Sequence, residues 1–337
     1  MSGPARQDGG SADAPGSVDA PSLVAAPRSV AAPRSVAAPS SVAAPSSVAA
    51  PRFVVASDLD RTLIYSNRAL ALDVPDRLAP RLLSVEVHDG KALSFMTEQA
   101  AALLVELARE AVLVPATTRT RAQYERVNLP GPTPGWVPPY AICANGGRLL
   151  VDGVPDEDWQ SEMAGRLAEG AAPLAEVVEH LALCADPEWT HKRRVADELF
   201  AYLVVERAEL PPGWIAELTG WCAERGWTVS LQGRKVYAVP APLSKSAALA
   251  EVVRRVGPST VLSAGDSLLD ADLLLAADAA WRPGHGELAD SGWTAPGVTA
   301  LDEIGVAAGE EIARRFLSRV RGGVGTPVPA PAPALGA

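Results

Sequence analysis

Cysteine is scarce in this sequence, with three in 337 residues: Cys143, Cys184 and Cys222. They are far apart and odd in number, which excludes a disulfide framework and gives no zinc-site spacing. Buried free thiols in a cytoplasmic protein are the expected state. Basic residues are outnumbered, 30 against 40 acidic, for a formal charge of −10. That balance disfavours a nucleic-acid partner, but a small anionic ligand needs only a local positive site. No apolar run is long enough to span a bilayer, and the N-terminus lacks the basic-then-apolar layout of a signal peptide, so no membrane partner is expected. The one basic run, His191-Lys192-Arg193-Arg194, reads either as a solvated turn or as a binding element.

Large apolar side chains are nearly absent from residues 1–51. From Val24 the chain repeats VAAPRS and VAAPSS, a unit with a proline in every copy that can neither continue a helix nor complete a sheet. An extended, disordered arm is expected there, and a similar tail over 322–337. About 270 residues remain for folding, enough for a core and an insertion.

The remaining chain begins with the apolar run FVVAS and the acids of DLDRT, which reads as a buried strand of a parallel sheet. The strands expected over 85–87 and 92–95 flank His88-Asp89-Gly90-Lys91, a hairpin turn signal. Thr97 is a plausible N-cap for a helix over TEQAAALLVELARE, followed by the strand AVLVPAT, a helix over 119–126 and a third core strand over 141–144. The texture then changes. Helices over 159–168 and 174–183, a strand over 199–206, a helix opened by Pro211-Pro212 and two strands in GWTVSLQGRKVYAV make an α+β pattern. From Ser244, helix and strand alternate again: SKSAALAEVVRRV, a strand over 260–264, a helix over 268–276, a strand near 278–281 and a helix over 301–320. The expected fold is α/β, a Rossmann-like doubly wound parallel sheet (52–145 and 242–321) interrupted by an α+β insert (146–241).

Ligands in open α/β sheets bind beyond the carboxyl ends of the strands. Asp58 and Asp60 follow the first strand, Thr117, Thr118 and Arg119 the second, Asn145 and Gly146 the third, and Asp266 and Asp270 of GDSLLD the strand over 260–264. Lys245 opens the helix before it. Clustered carboxylates are costly to bury unless a cation binds them, and an all-oxygen set without His or Cys suits Mg²⁺. With it, one carboxylate can act as nucleophile toward a phosphate and another as general acid and base, while lysine and hydroxyls steady the transferring group.

These residues resemble the haloacid dehalogenase (HAD) superfamily of phosphohydrolases. Its four motifs stand in order: Asp58-Leu59-Asp60-Arg61-Thr62, LVPATTR ending on Thr117, Lys245 in PLSKSAAL, and Gly265 to Asp270 in GDSLLD. The insert's position is similar to that of the large cap in the group of sucrose-phosphate, mannosyl-phosphoglycerate and Cof-type sugar phosphatases, as are Thr117-Thr118-Arg119, Asn145-Gly146-Gly147 and VYAVPAPLSK. The resemblance implies Asp58 as nucleophile, Asp60 as general acid and base that also ligates Mg²⁺ through its carbonyl, and Asp58, Asp266 and Asp270 as further ligands. It implies Thr117 and Lys245 as holders of the phosphoryl group, and Thr118, Arg119, Asn145, Gly146 and Arg61 as candidates at the substrate, with a structural ion pair the alternative for Arg119. The implied activity is hydrolysis of a small phosphorylated metabolite, a sugar phosphate favoured. A phosphomutase or phosphotransferase on the same fold and a non-catalytic binding protein are the alternatives. DLDRTLIYS also resembles superfamily members of tellurium-resistance-type gene clusters, which would point to a nucleotide-like substrate. Nothing in the pattern speaks to oligomeric state.

Two positions depart from the family pattern. Arg61 stands where glycine is usual and implies ordinary backbone dihedrals at that turn; it would reach substrate or pair with an acid such as Asp89. Leu269 stands where asparagine is usual and removes a polar group from beside the metal. Neither departure removes a catalytic carboxylate.

Overall fold

A computed structural model describes residues 53–322. The repeat arm at 1–51, residue 52 and residues 323–337 lie outside the described residues, and Gly322, expected to open the tail, instead closes the last helix.

The chain runs through β1 (Phe53–Ser57), β2 (Tyr65–Ser66), β3 (Leu82–His88), β4 (Lys91–Thr97), α1 (Glu98–Glu110), β5 (Val112–Pro115), α2 (Arg121–Tyr124), β6 (Tyr140–Cys143), β7 (Arg148–Val151) and β8 (Val154–Pro155). The insert follows with α3 (Glu157–Gly170), α4 (Leu174–Cys184), β9 (Thr190–Ala196), β10 (Phe200–Val205), α5 (Trp214–Ala223), β11 (Trp227–Gln232) and β12 (Lys235–Pro240). The chain ends with α6 (Lys245–Val256), β13 (Thr260–Ala264), α7 (Ala271–Leu275), β14 (Ala279–Arg282), α8 (Glu287–Asp290), β15 (Val298–Ala300) and α9 (Gly305–Gly322).

The central sheet has the order β15-β14-β13-β1-β5 and is parallel throughout. All five residues of β1 are buried because helices cover both faces, which is why its sequence is a continuous apolar run. Val55, Leu113 and Leu262 pack against Leu104 and Leu107 of α1 and Ile312 and Phe316 of α9. Val54, Val114 and Val261 pack against Leu249 and Val252 of α6 and Leu273 of α7. The chain passes from β1 to β5 on one side and later to β13 on the other, so the order reverses at β1, where such sheets open a ligand crevice. Helix starts follow the expected caps: Thr97 accepts from the Ala100 amide and Ser244 from that of Ala247.

Several expectations need correction. The third core strand is β6, but it pairs antiparallel with β7 and touches the parallel sheet through a single bridge, Ala116 to Ile142. Pro115 closes β5 without an amide hydrogen to extend a ladder. The helix over 119–126 shrinks to α2 because Thr120 and Gln123 form a capping box that starts it later. Residues 298–300 pair with β14, delaying the final helix to Gly305. The basic run is neither a turn nor a loop: it lies in β9, an exposed edge strand whose charges discourage pairing with another chain.

The insert carries its own antiparallel sheet, β11-β12-β10-β9. Ala201, Leu203, Val236 and Ala238 point to one face and pack with Val177 and Leu181 of α4 and Leu218 and Cys222 of α5. Trp189 is buried edge-to-face on Trp214, a packing role. The cysteines are free; Cys143 and Cys222 are buried, Cys184 partly. No helix among the described residues is long and apolar enough to cross a membrane.

Candidate active site

The chain turns directly at the end of β1. The Leu59 carbonyl accepts from the amides of Thr62, Leu63 and Ile64 (2.8–3.2 Å), and the Arg61 amide returns to the Ile64 carbonyl at 2.8 Å. This closure forces Arg61 to φ 65°, against the ordinary dihedrals expected of a non-glycine residue. The left-handed backbone costs roughly 1–2 kcal/mol, and two contacts hold it. His285 caps the Arg61 carbonyl at 2.8 Å while its other ring nitrogen accepts from the Gly305 amide at 3.1 Å, so the ring is neutral with its proton on Nε2. Burial helps keep it neutral by drawing its pKa down to about 4. The Arg61 side chain donates through Nε to Asp266 Oδ2 at 3.0 Å, not to Asp89.

Asp58, Asp266 and Asp270 come together, one carboxylate oxygen of each lying within 4.8 Å of the others, and all three are buried. Lys245, fully buried at the start of α6, donates to Asp58 Oδ1 at 2.7 Å and to Asp270 Oδ1 at 2.5 Å. Thr62 donates to the other Asp58 oxygen at 3.1 Å. The second oxygen of Asp270 gathers its own loop, accepting from the amides of Asp266 and Ser267 and from the Ser267 hydroxyl. Gly265 makes that fold possible, since a Cβ there would lie 2.3 Å from Asp270 Cβ. Leu269 turns into the apolar core. Burial and the neighbouring acids hold the carboxyls of Asp58 and Asp266 above the usual range, while Lys245 and Arg61 pull them back. Burial disfavours the Lys245 ammonium, but Asp270 and Asp58 outweigh it and keep the lysine charged. The acids exceed the cations, and an all-oxygen set of three carboxyls, once ionised, fits a hard divalent cation.

Asp60 stands outside the triad. Its carboxylate is gripped by Arg119 at 2.7 and 2.8 Å; burial works against its charge, but Arg119 wins and the pKa is lowered. Arg119 also meets Glu86 at 2.9 Å, and Glu86 takes Ser94 at 2.6 Å and Arg126 at 3.3 Å. Arg119 is therefore engaged with acids in the ion-pair arrangement. Glu86, Ser94 and Arg126 were not singled out from sequence; the available signal was an acid inside the otherwise apolar stretch around Val85 and Val87.

Thr117 and Thr118 are buried at the end of β5, and the Thr117 hydroxyl accepts from the Arg119 amide at 3.1 Å. Asn145 has φ 55°. Its amide donates to the Leu243 carbonyl at 2.8 Å, while Oδ1 is buried without a hydrogen-bond partner. Gly146 lies against the start of α6, where a Cβ would come within 2.0 Å of the Ser244 carbonyl oxygen; close approach explains this glycine. From the insert, Lys235 lies near enough to help lower the Asp60 pKa, and its neighbours Tyr202 and Tyr237 share its sheet face. Sequence reading missed these three.

No protein-family model matches the sequence, and no curated protein matches it. Among solved structures the fold is similar to that of sucrose-phosphatase from Synechocystis sp. PCC6803, in complex with sucrose and phosphate, at TM-score 0.52 and 17% identity over 79% of this chain and 98% of that one. A HAD subclass IIB sugar phosphatase aligns at TM-score 0.48 and 13% identity over 78% and 97% of the two chains, and a Thermoplasma acidophilum protein at 0.48 and 11% over 78% and 97%. The likeness is one of fold: a parallel α/β core carrying an α+β insert.

Proposed function

We propose that the chain is a Mg²⁺-dependent phosphatase of a small phosphorylated metabolite, with residues 146–241 as a cap over the site. A sugar phosphate is the favoured class, by analogy with the sucrose-phosphatase fold. One observation carries the reading: Asp58, Lys245, Asp266 and Asp270 converge at the carboxyl end of the parallel sheet, at its switch point.

In this reading Asp58 attacks phosphorus, the ester P–O bond breaks, and the phosphoryl group passes to the Asp58 carboxylate. Asp60 gives a proton to the departing alkoxide. Water then attacks the aspartyl phosphate, Asp60 takes its proton, and inorganic phosphate leaves with Asp58 restored. Asp60 is half-exposed but held ionised by Arg119, so the acid role requires it to leave that pair and gain a proton. Lys245 neutralises charge at the nucleophile, and the Thr117 hydroxyl and the unpartnered Asn145 oxygen offer further contacts. A bound Mg²⁺ supplies charge neutralisation for the phosphoryl oxygens; Asp58, Asp266, Asp270 and the Asp60 carbonyl are the groups that would hold it.

Asp58→Asn is expected to abolish phosphate release from p-nitrophenyl phosphate in the presence of Mg²⁺ while the melting temperature stays within a few degrees of wild type. Undiminished turnover in that folded variant rejects the proposal.

A further inference from the structure

The insert's sheet has one face on its helices and one face turned to the core. The orientation is set by Glu287 of α8, whose carboxylate accepts from the Ser230 hydroxyl at 2.6 Å and the Leu231 amide at 2.9 Å. Strand alternation and register decide what the core-side face carries. In one cross-strand row Lys235 is paired with Val204, and Val204 with Lys192. In the next row Tyr237 is paired with Tyr202, and Tyr202 with Arg194. The two rows are two residues apart along each strand and so share a face. Lys235 stands over both rings, 5.6 Å from the centroid of Tyr202 and 5.8 Å from that of Tyr237, and its charge reaches Asp60.

This face therefore presents three cations across three neighbouring strands, spanning two strand spacings or about 10 Å. Lys192, Arg194 and Lys235 are solvent-exposed, and none is in an ion pair among the described residues. Arg61, Arg119, Arg126 and Lys245 are all matched by acids at the core. Continued onto β11, the rows add Gln232 beside Lys235 and Ser230 beside Tyr237, and the Glu287 carboxylate that meets Ser230 is taken up by that hydroxyl and by the Leu231 and Leu268 amides, not by the three cations. The unmatched charge belongs to a chain whose net charge is −10, so a general anionic attraction does not account for it.

We propose that this face is an anion subsite: the substrate is an organic phosphate with a second negatively charged group, carboxylate or phosphate, received by Lys235, Lys192 and Arg194 while the scissile phosphate sits at Asp58. The inference rests on the phosphatase reading and narrows it away from monophosphates of otherwise uncharged sugars. Tyr202 and Tyr237 form the floor between the cations, an aromatic surface for the carbon frame joining the two charges.

The test compares kcat/KM of the full chain with Mg²⁺ for glucose 6-phosphate, 3-phosphoglycerate and fructose 1,6-bisphosphate. One of the two compounds with a second anionic group is expected to exceed glucose 6-phosphate at least tenfold, and which one identifies that group. Lys235→Met, and Lys192→Met with Arg194→Met, should each reduce that ratio by about tenfold, as loss of a hydrogen bond to a charged group does. Equal turnover of all three compounds, or ratios unmoved by the substitutions, overturns the subsite and leaves the phosphatase standing. If neither these nor p-nitrophenyl phosphate is hydrolysed, the phosphatase reading fails, and calorimetric binding of the same compounds decides the subsite. Binding weakened at least tenfold in the triple variant supports it; absent or unaltered binding overturns it.

Discussion

Arg61 couples backbone strain to the acidic cluster. Its left-handed conformation is one a glycine adopts freely, and its guanidinium occupies a carboxylate oxygen of Asp266. A cation already on a candidate metal ligand competes with the metal for it. Arg61→Gly is therefore expected to tighten Mg²⁺ binding several-fold in a calorimetric titration; weaker or unchanged binding would show that the pair does not oppose the metal. Protons compete at the same oxygens. Burial raises the Asp58 pKa to about 7, against the pull of Lys245. The metal needs the ionised form, so each proton still bound must be displaced. Mg²⁺ affinity should accordingly be level above about pH 7.5 and fall below it, by roughly tenfold per pH unit for each proton displaced. Titrations in buffers of different ionisation enthalpy would detect the released proton at pH 6 and its disappearance at pH 8.

The hairpin of β3 and β4 supports the site through buried charge. Glu86 is 2% exposed and meets two arginines, one of which holds Asp60. Removing one member of a buried network leaves the others unmatched, at a cost of about 3–5 kcal/mol. Glu86→Ala should lower unfolding free energy by about 3 kcal/mol in urea and free Arg119; a loss below 1 kcal/mol would place the network's energy elsewhere. This network also shows where sequence reading stops. β1, β13 and α6 were legible because a continuous apolar run, a strand-end acid and a serine cap are local signals, and the clustered acids followed from the rule that ligands gather at strand ends. Glu86 was not legible because its partners are 33 and 40 residues away and meet it only where the segment after β5 packs against β3, as in the bridge between Glu86 and Val127. The turn reading of the basic run failed for a related reason: β9 is an edge strand, and its polar residues conceal the alternation that would mark it. Arg61 was misjudged because its dihedral is imposed by hydrogen bonds to Leu59 and Ile64, which composition does not reveal.

At the scale of the whole molecule, one side chain joins the two layers. Glu287 binds Ser230 and Leu231 on the insert and also accepts from the Leu268 amide at 3.0 Å, in the loop between Asp266 and Asp270. A single carboxylate thus ties the sheet that carries Lys235 to the loop that carries two of the clustered acids. Three hydrogen bonds to one charged group are individually worth about 1.5–3 kcal/mol, but their ends lie on different elements, so their loss should appear as local opening more than as global unfolding. Glu287→Ala is expected to speed amide hydrogen exchange in β11 and in residues 266–270 together, with little change in β1 or α1, and to raise KM more than it lowers kcat. Faster exchange in β11 alone would mean that the insert and the acidic loop move independently. Unchanged exchange in β11 would mean that the insert is held in place by its other contacts with the core, such as the Asp197 carboxylate on the Arg121 amide at 3.0 Å.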